Sequence, residues 1–111
     1  MKPFAEEFPA GNISHHFAGG VYAKELVIPA GFWLKSHRHV YDHISVLASG
    51  TVRLTIRGET HEMVGPRTII VPAWADHEIE AVTTAVWLCI HATSAADPDT
   101  VDETLIAREP V

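Results

Sequence analysis

The sequence predicts an all-β domain, a sandwich or a barrel, on three observations. Apolar and β-branched residues gather in eight short runs. Turn residues, mostly Gly and Pro, separate those runs at intervals of roughly 8–12 residues, the rhythm of an antiparallel sandwich or barrel. The chain has 111 residues, 47% of them hydrophobic. That is the size and composition of one globular domain, residues 1–111, with its core expected over about 21–91.

The elements follow in chain order. Residues 12–17 are a candidate edge strand before the turn Ala18-Gly19-Gly20. The run Val21–Ile28 is rich in β-branched and apolar side chains and stops at Pro29-Ala30-Gly31. Residues 32–39 follow, then 43–48, which end at Ser49-Gly50. In Thr51–Ile56, Thr51, Arg53 and Thr55 alternate with Val52, Leu54 and Ile56, the period of a half-buried strand. Arg57-Gly58-Glu59 turns the chain into residues 60–64, and Gly65-Pro66 ends that run. Residues 68–71, 77–82 and 84–91 complete the set. Gly and Pro fall at the breaks, where a positive φ or a missing N–H is tolerated. The tail, residues 97–111, differs. Asp97-Pro98-Asp99-Thr100 has the pattern of a helix start, with Asp97 as cap and Pro98 at the first helical position. A short helix over about 98–108 is expected there, lying on the barrel exterior or on a partner chain.

Composition excludes several functions. Eight Lys and Arg against 14 Asp and Glu give a net charge of −6, which argues against nucleic acid or an anionic membrane as partner. The single cysteine, Cys89, cannot form an internal disulfide, which suggests a reducing compartment or an inert buried thiol, and its apolar run reads as core rather than nucleophile. The apolar runs 69–75 and 85–90 fall far short of the ~20 residues needed to span a bilayer. Glu6 and Glu7 interrupt any leader-like stretch, so no signal peptide and a cytoplasmic protein are expected.

The unusual number is eight histidines, as many as all Lys and Arg together. His37 and His39 share a strand face by parity. His43 follows after three residues, and a hairpin would bring it beside that pair. Imidazoles on adjacent strands suit Zn, Fe, Ni, Cu or Mn.

The spacing Gly31-x5-His37-x-His39-x3-His43-x6-Gly50 resembles the first motif of the cupin superfamily, with His43 where the family has Glu. Gly65, Pro72 and His77 resemble the second motif. Six residues stand between Gly65 and Pro72 in place of five, Trp74 replaces a Gly, and Ala81 replaces an Asn. The resemblance implies a jelly-roll β-barrel with one divalent transition metal inside it, held by His37, His39, His43 and His77. A shell of four neutral imidazoles leaves a divalent ion its full charge, where one carboxylate would cancel half of it. That makes the ion a stronger Lewis acid and suits an anionic or enolisable substrate. Asp42 is the carboxylate close by, either accepting from a ligand N–H or standing in for His43.

Barrels of about eight strands hold one small ligand. Tyr41, Ser45, Leu47, Trp74 and Trp87 are the candidate pocket residues by proximity to the motifs. Trp74 is expected to wall the pocket, and Tyr41 is the weak candidate for a proton donor. The commoner role of Trp33, Trp74 and Trp87 is in a core or dimer interface. His15, His16 and His61 are expected at the surface, and His91 facing solvent more than the barrel mouth. Arg53 and Arg67 are the cations considered for steering an anion inward, with surface exposure expected for both. Open sheet edges favour a homodimer. Three functions fit: a metal-dependent enzyme on a small organic substrate, of dioxygenase type or of Lewis-acid isomerase, lyase or cyclase type; a non-catalytic ligand-binding or sensor domain; or a metal site that only rigidifies the barrel.

Overall fold

The computed structural model describes residues 10–36 and 41–92. A 3-10 turn at Ala10–Asn12 leads into nine strands among the described residues: β1 (Ile13–Ala18), β2 (Val21–Ile28), β3 (Trp33–Ser36), β4 (His43–Ser49), β5 (Thr51–Ile56), β6 (Glu59–Val64), β7 (Arg67–Val71), β8 (His77–Ala81) and β9 (Ala85–Ala92). They form a five-stranded sheet in the order β1-β2-β9-β4-β7 and a four-stranded sheet in the order β3-β8-β5-β6. Every pairing is antiparallel. The expected edge strand is β1, which does lie at a sheet edge. The eight expected runs are β2 to β9, each close to its expected bounds. The part of residues 32–39 beyond Ser36, and the expected helix over 98–108, lie outside the described residues.

Period-two alternation builds the interior. On β9, Ala85, Trp87, Cys89 and His91 are buried while their neighbours face outward. Leu26 and Ile28 of β2, Leu47 of β4, Val52 and Leu54 of β5, and Ile79 and Ala81 of β8 pack with Trp87 into one apolar cluster. The register then explains how the interior is graded. On β4 the inward series runs Leu47, Ser45, His43; on β9 it runs Trp87, Cys89, His91; on β8 it runs Ala81, Ile79, His77. Each series is apolar at one end of the sandwich and ends in an imidazole at the other.

The two outer faces differ as well. On the four-stranded sheet Arg53 lies 3.6 Å from Glu62 and 3.8 Å from Glu80, and the Trp33 indole N–H donates to Glu78 at 3.2 Å. On the five-stranded sheet Ile44 stands opposite both Ile70 and Ile90, so the outward row is apolar, and Ile44 and Ile70 are exposed. Among the described residues no helix is long and apolar enough to cross a membrane.

Two glycines of the sequence motifs meet at the apolar end. The Gly65 N–H donates to the Gly50 carbonyl at 2.9 Å, joining the β4–β5 turn to the β6–β7 turn. Gly50 has φ +91°, and a Cβ there would meet the Thr84 carbonyl and lie 2.7 Å from Ala85 Cα. A Cβ on Gly65 would lie 2.9 Å from Ser49 Cα. Backbone touches backbone at both sites, so no side-chain rotation relieves the contact. Gly50→Ala is expected to cost roughly 2–4 kcal/mol from the left-handed backbone and the overlap together. Urea unfolding measures it, and a cost near zero would show that the turn does not need glycine.

Candidate metal centre

Three histidines converge at the polar end of the interior. His43 opens β4, His77 opens β8 and His91 is the penultimate residue of β9. They are 4%, 1% and 6% exposed. The His43 and His77 rings face one another between the sheets with centroids 6.0 Å apart. His43 and His91 are neighbours on adjacent strands, with centroids 4.5 Å apart and planes tilted by 31°. The row continues along the sheet. Tyr22 pairs with His91 in register and stacks on it at 6.2 Å, and Phe17 stacks on Tyr22 at 4.8 Å. The Tyr22 hydroxyl is 2.8 Å from His15 Nδ1.

A cleft of about 850 Å³ opens at this end and reaches His43 and His91. Val21, Ile44, Ile70 and Ile90, which face outward from the five-stranded sheet, line it together with Tyr41, Asp42 and Ala92, so the cleft runs along the outer face of that sheet beside the histidine end.

The sequence expectations divide here. His43 and His77 come together from different sheets. His37 and His39 lie outside the described residues. Among the described residues no group of three or more His, Cys, Asp or Glu is arranged to hold an ion by itself. Two buried imidazoles from facing strands are nevertheless donors of the type that borderline transition metals prefer, so the residues present suit such an ion in kind.

His91 corrects the expectation of a solvent-facing side chain. Its parity with Trp87 and Cys89 puts it inside, and that parity is readable in the sequence. His16 and His61 are exposed beside Glu25 and Glu59, as expected, and His15 touches the Tyr22 hydroxyl from an exposed position.

Of the candidate pocket residues, Tyr41 lines the cleft and is 58% exposed. Leu47 and Trp87 instead belong to the apolar cluster, and Ser45 is fully buried with its hydroxyl 3.9 Å from Cys89 Sγ. Trp74 does not wall the cleft; it is 57% exposed. Its backbone gives the reason. Trp74 has φ +63°, so it occupies the left-handed conformation that a Gly takes most easily, and its side chain is carried outward. Asp42 ties the segment before β4 to the β7–β8 loop, because the Ala73 N–H donates to its Oδ1 at 2.7 Å.

Cys89 is an inert core thiol, as expected. Burial pushes its pKa up, and this outweighs the opposing influence of Trp87, of the Ser45 hydroxyl and of the Lys24 charge.

The class of protein follows from this geometry: an antiparallel two-sheet β-barrel with buried histidines at one end of its interior. The cupin domain model matches residues 24–91, which is more than half of the chain, and the chain belongs to the cupin family. No curated protein matches it in sequence. Its fold is shared by a conserved protein of unknown function from Streptococcus pyogenes, at 18% identity and TM-score 0.61, covering 80% of this chain and 81% of that one. A cupin superfamily protein from Desulfitobacterium hafniense aligns at 15% identity and TM-score 0.62, covering 74% and 78%. Salicylate 1,2-dioxygenase from Pseudoaminobacter salicylatoxidans, solved as adducts with gentisate, aligns at 14% identity and TM-score 0.66, over 72% of this chain but 24% of that one. Likeness at these identities is likeness of fold.

Two outcomes are expected here. Trp74→Gly removes a left-handed strain of about 1–2 kcal/mol at a glycine entropy cost of about 0.5–1 kcal/mol. The variant is therefore more stable in thermal unfolding by the difference, and a destabilised variant would show that the exposed indole contributes packing. Cys89 resists alkylation in the folded protein at neutral pH and reacts on unfolding. Its raised pKa favours the neutral thiol in the folded state, so stability falls as pH rises above the ordinary thiol range. Cys89→Ala should flatten that fall.

Proposed function

We propose that the protein is a mononuclear divalent-metal-binding cupin acting as an enzyme on a small organic molecule, and that it works as a cytoplasmic homodimer. The observation that carries this reading is the pair of buried imidazoles, His43 and His77, brought together from facing sheets at one end of the barrel interior. His37 and His39 complete the proposed ligand set on the strength of the motif. The ion, one of Fe, Mn, Ni, Cu or Zn, would supply Lewis-acid or oxygen chemistry.

The chain's own residues have separable tasks in this scheme. His43 and His77 would hold the ion, and His91 packs its ring against His43. Tyr41, which lines the cleft, is the weak candidate for a proton donor. A dioxygenase among the structural neighbours is compatible with oxygen chemistry on this scaffold, while one scaffold hosts many chemistries. The exposed apolar row with Ile44 and Ile70 on the outer face of the five-stranded sheet supports the homodimer.

Elemental analysis of protein purified without chelators should find about one transition-metal ion per chain. His43→Ala and His77→Ala should each lose most of it while circular dichroism stays that of a β-protein. Full metal content in the double variant His43→Ala with His77→Ala would overturn the ligand assignment. Oxygen uptake with candidate substrates then separates the dioxygenase from the redox-neutral Lewis-acid enzyme. A tightly held ion with no turnover would favour a binding or structural role.

A further inference from the structure

The two sheets present opposite chemistry to the outside. Across the register of the five-stranded sheet, one outward row runs Ala23, Ile90, Ile44 and Ile70, and the next carries Leu88 and Val46. Ile44 and Ile70 are exposed, and the other four are half-buried. One carboxylate stands on this face, Glu25 at its β1 side, and exposed His16 lies 3.1 Å from it. The four-stranded sheet instead turns Lys35, Arg53, Glu62, Glu78 and Glu80 outward.

An apolar face with so little charge to offer is matched by a partner surface of the same kind. Its size narrows the choice of partner. Five strands of five to eight residues make a face about 24 Å wide and about 17–26 Å long, with an area of roughly 400–600 Å². A stable interface takes about 500–1,000 Å² from each partner, so nearly the whole face must be covered. A docked helix, about 10–12 Å across, covers only half of the width. A second copy of this chain brings a face of the same size and the same lack of charge, and contact between two like faces closes on itself as a dimer. Each chain carries a charge of −6, and copies that meet here bring few carboxylates together.

The cleft lies inside this footprint. Its lining comes from the sheet, through Val21, Ile44, Ile70 and Ile90 among others, and from Tyr41 and Asp42, and no other described element lies across it. We propose that the ligand site is shared between two copies of this chain. The outer face of the five-stranded sheet packs against the same face of a partner, and the partner supplies the outer wall of the cleft that reaches His43 and His91. The inference rests on the reading of the protein as a homodimeric cupin acting on a small molecule. It adds which face pairs, and that a lone chain holds an incomplete site.

The test uses the full chain after chelator treatment, so the result is the same whether or not a metal binds. Sedimentation at micromolar concentration should give twice the chain mass of 12.2 kDa. Thr68→Lys, at an exposed position beside Val46, and Leu88→Lys, on the central strand, should each weaken dimerisation at least roughly tenfold by placing a cation in an apolar interface. Val64→Lys, at an exposed apolar position on β6, should not. Hydroxyl-radical footprinting needs no variant to fold: Ile44, Ile70 and Leu88 should be protected at high protein concentration and reactive on dilution, with Val64 unchanged. The neutral apolar dye N-phenyl-1-naphthylamine reads the cleft. The dimer should bind it at least roughly tenfold more tightly than monomeric Thr68→Lys, which alters no residue of the lining. A monomer at every concentration, no protection on this face, or a dimer that survives both lysine variants would overturn the pairing, and the last result leaves a homodimer through another face. No dye binding, or equal affinity in dimer and monomer, would overturn the shared site while leaving the metal-centre reading intact.

Discussion

Burial of three imidazoles at one end of a barrel whose other end is hydrocarbon is the constraint around which the molecule is organised. A buried imidazole is costly unless its polar atoms find partners. Placing His43, His77 and His91 together lets them share one polar environment, and the apolar cluster around Trp87 supplies the compensating burial. Antiparallel register makes this possible. Strands that run in opposite directions must carry opposite inward sequences, and they do: His43 opens β4, while His91 is the penultimate residue of β9. The glycine contact between Gly50 and Gly65 fixes the turns at the apolar end, so the chemical end and the architectural end of the barrel are separate.

The electrostatic setting follows from the same arrangement. The chain is acidic overall, with a charge of −6. Its described carboxylates lie on outer faces, turns and loops, where charges are screened within roughly 8–10 Å at ordinary ionic strength.

Much of the fold was legible because period-two alternation and turn residues are local signals. Val21–Ile28 and Thr51–Ile56 are strands over the bounds their patterns imply. The motif histidines His43 and His77 were legible through spacing. What spacing does not encode is which residues of other strands stand opposite them. His91 joined the cluster through register with Tyr22 and His43, although its parity with Cys89 and Trp87 already pointed inward. Trp74 shows the converse error. The motif position specifies a left-handed backbone, and a large side chain placed there was read as a pocket wall when the backbone carries it outward. Leu47 and Trp87 are near the motifs along the chain but lie on the apolar side of the gradient.

The central claim is that the imidazole end of the interior is a metal centre of nitrogen donors. X-ray absorption at the metal edge of the zinc-loaded protein tests it most directly. The account predicts a first shell of nitrogen at about 2.0–2.1 Å with the outer-shell scattering of imidazole, diminished in His77→Ala. A sulfur scatterer near about 2.3 Å, which would implicate Cys89, or an oxygen-only shell without imidazole scattering, would contradict it.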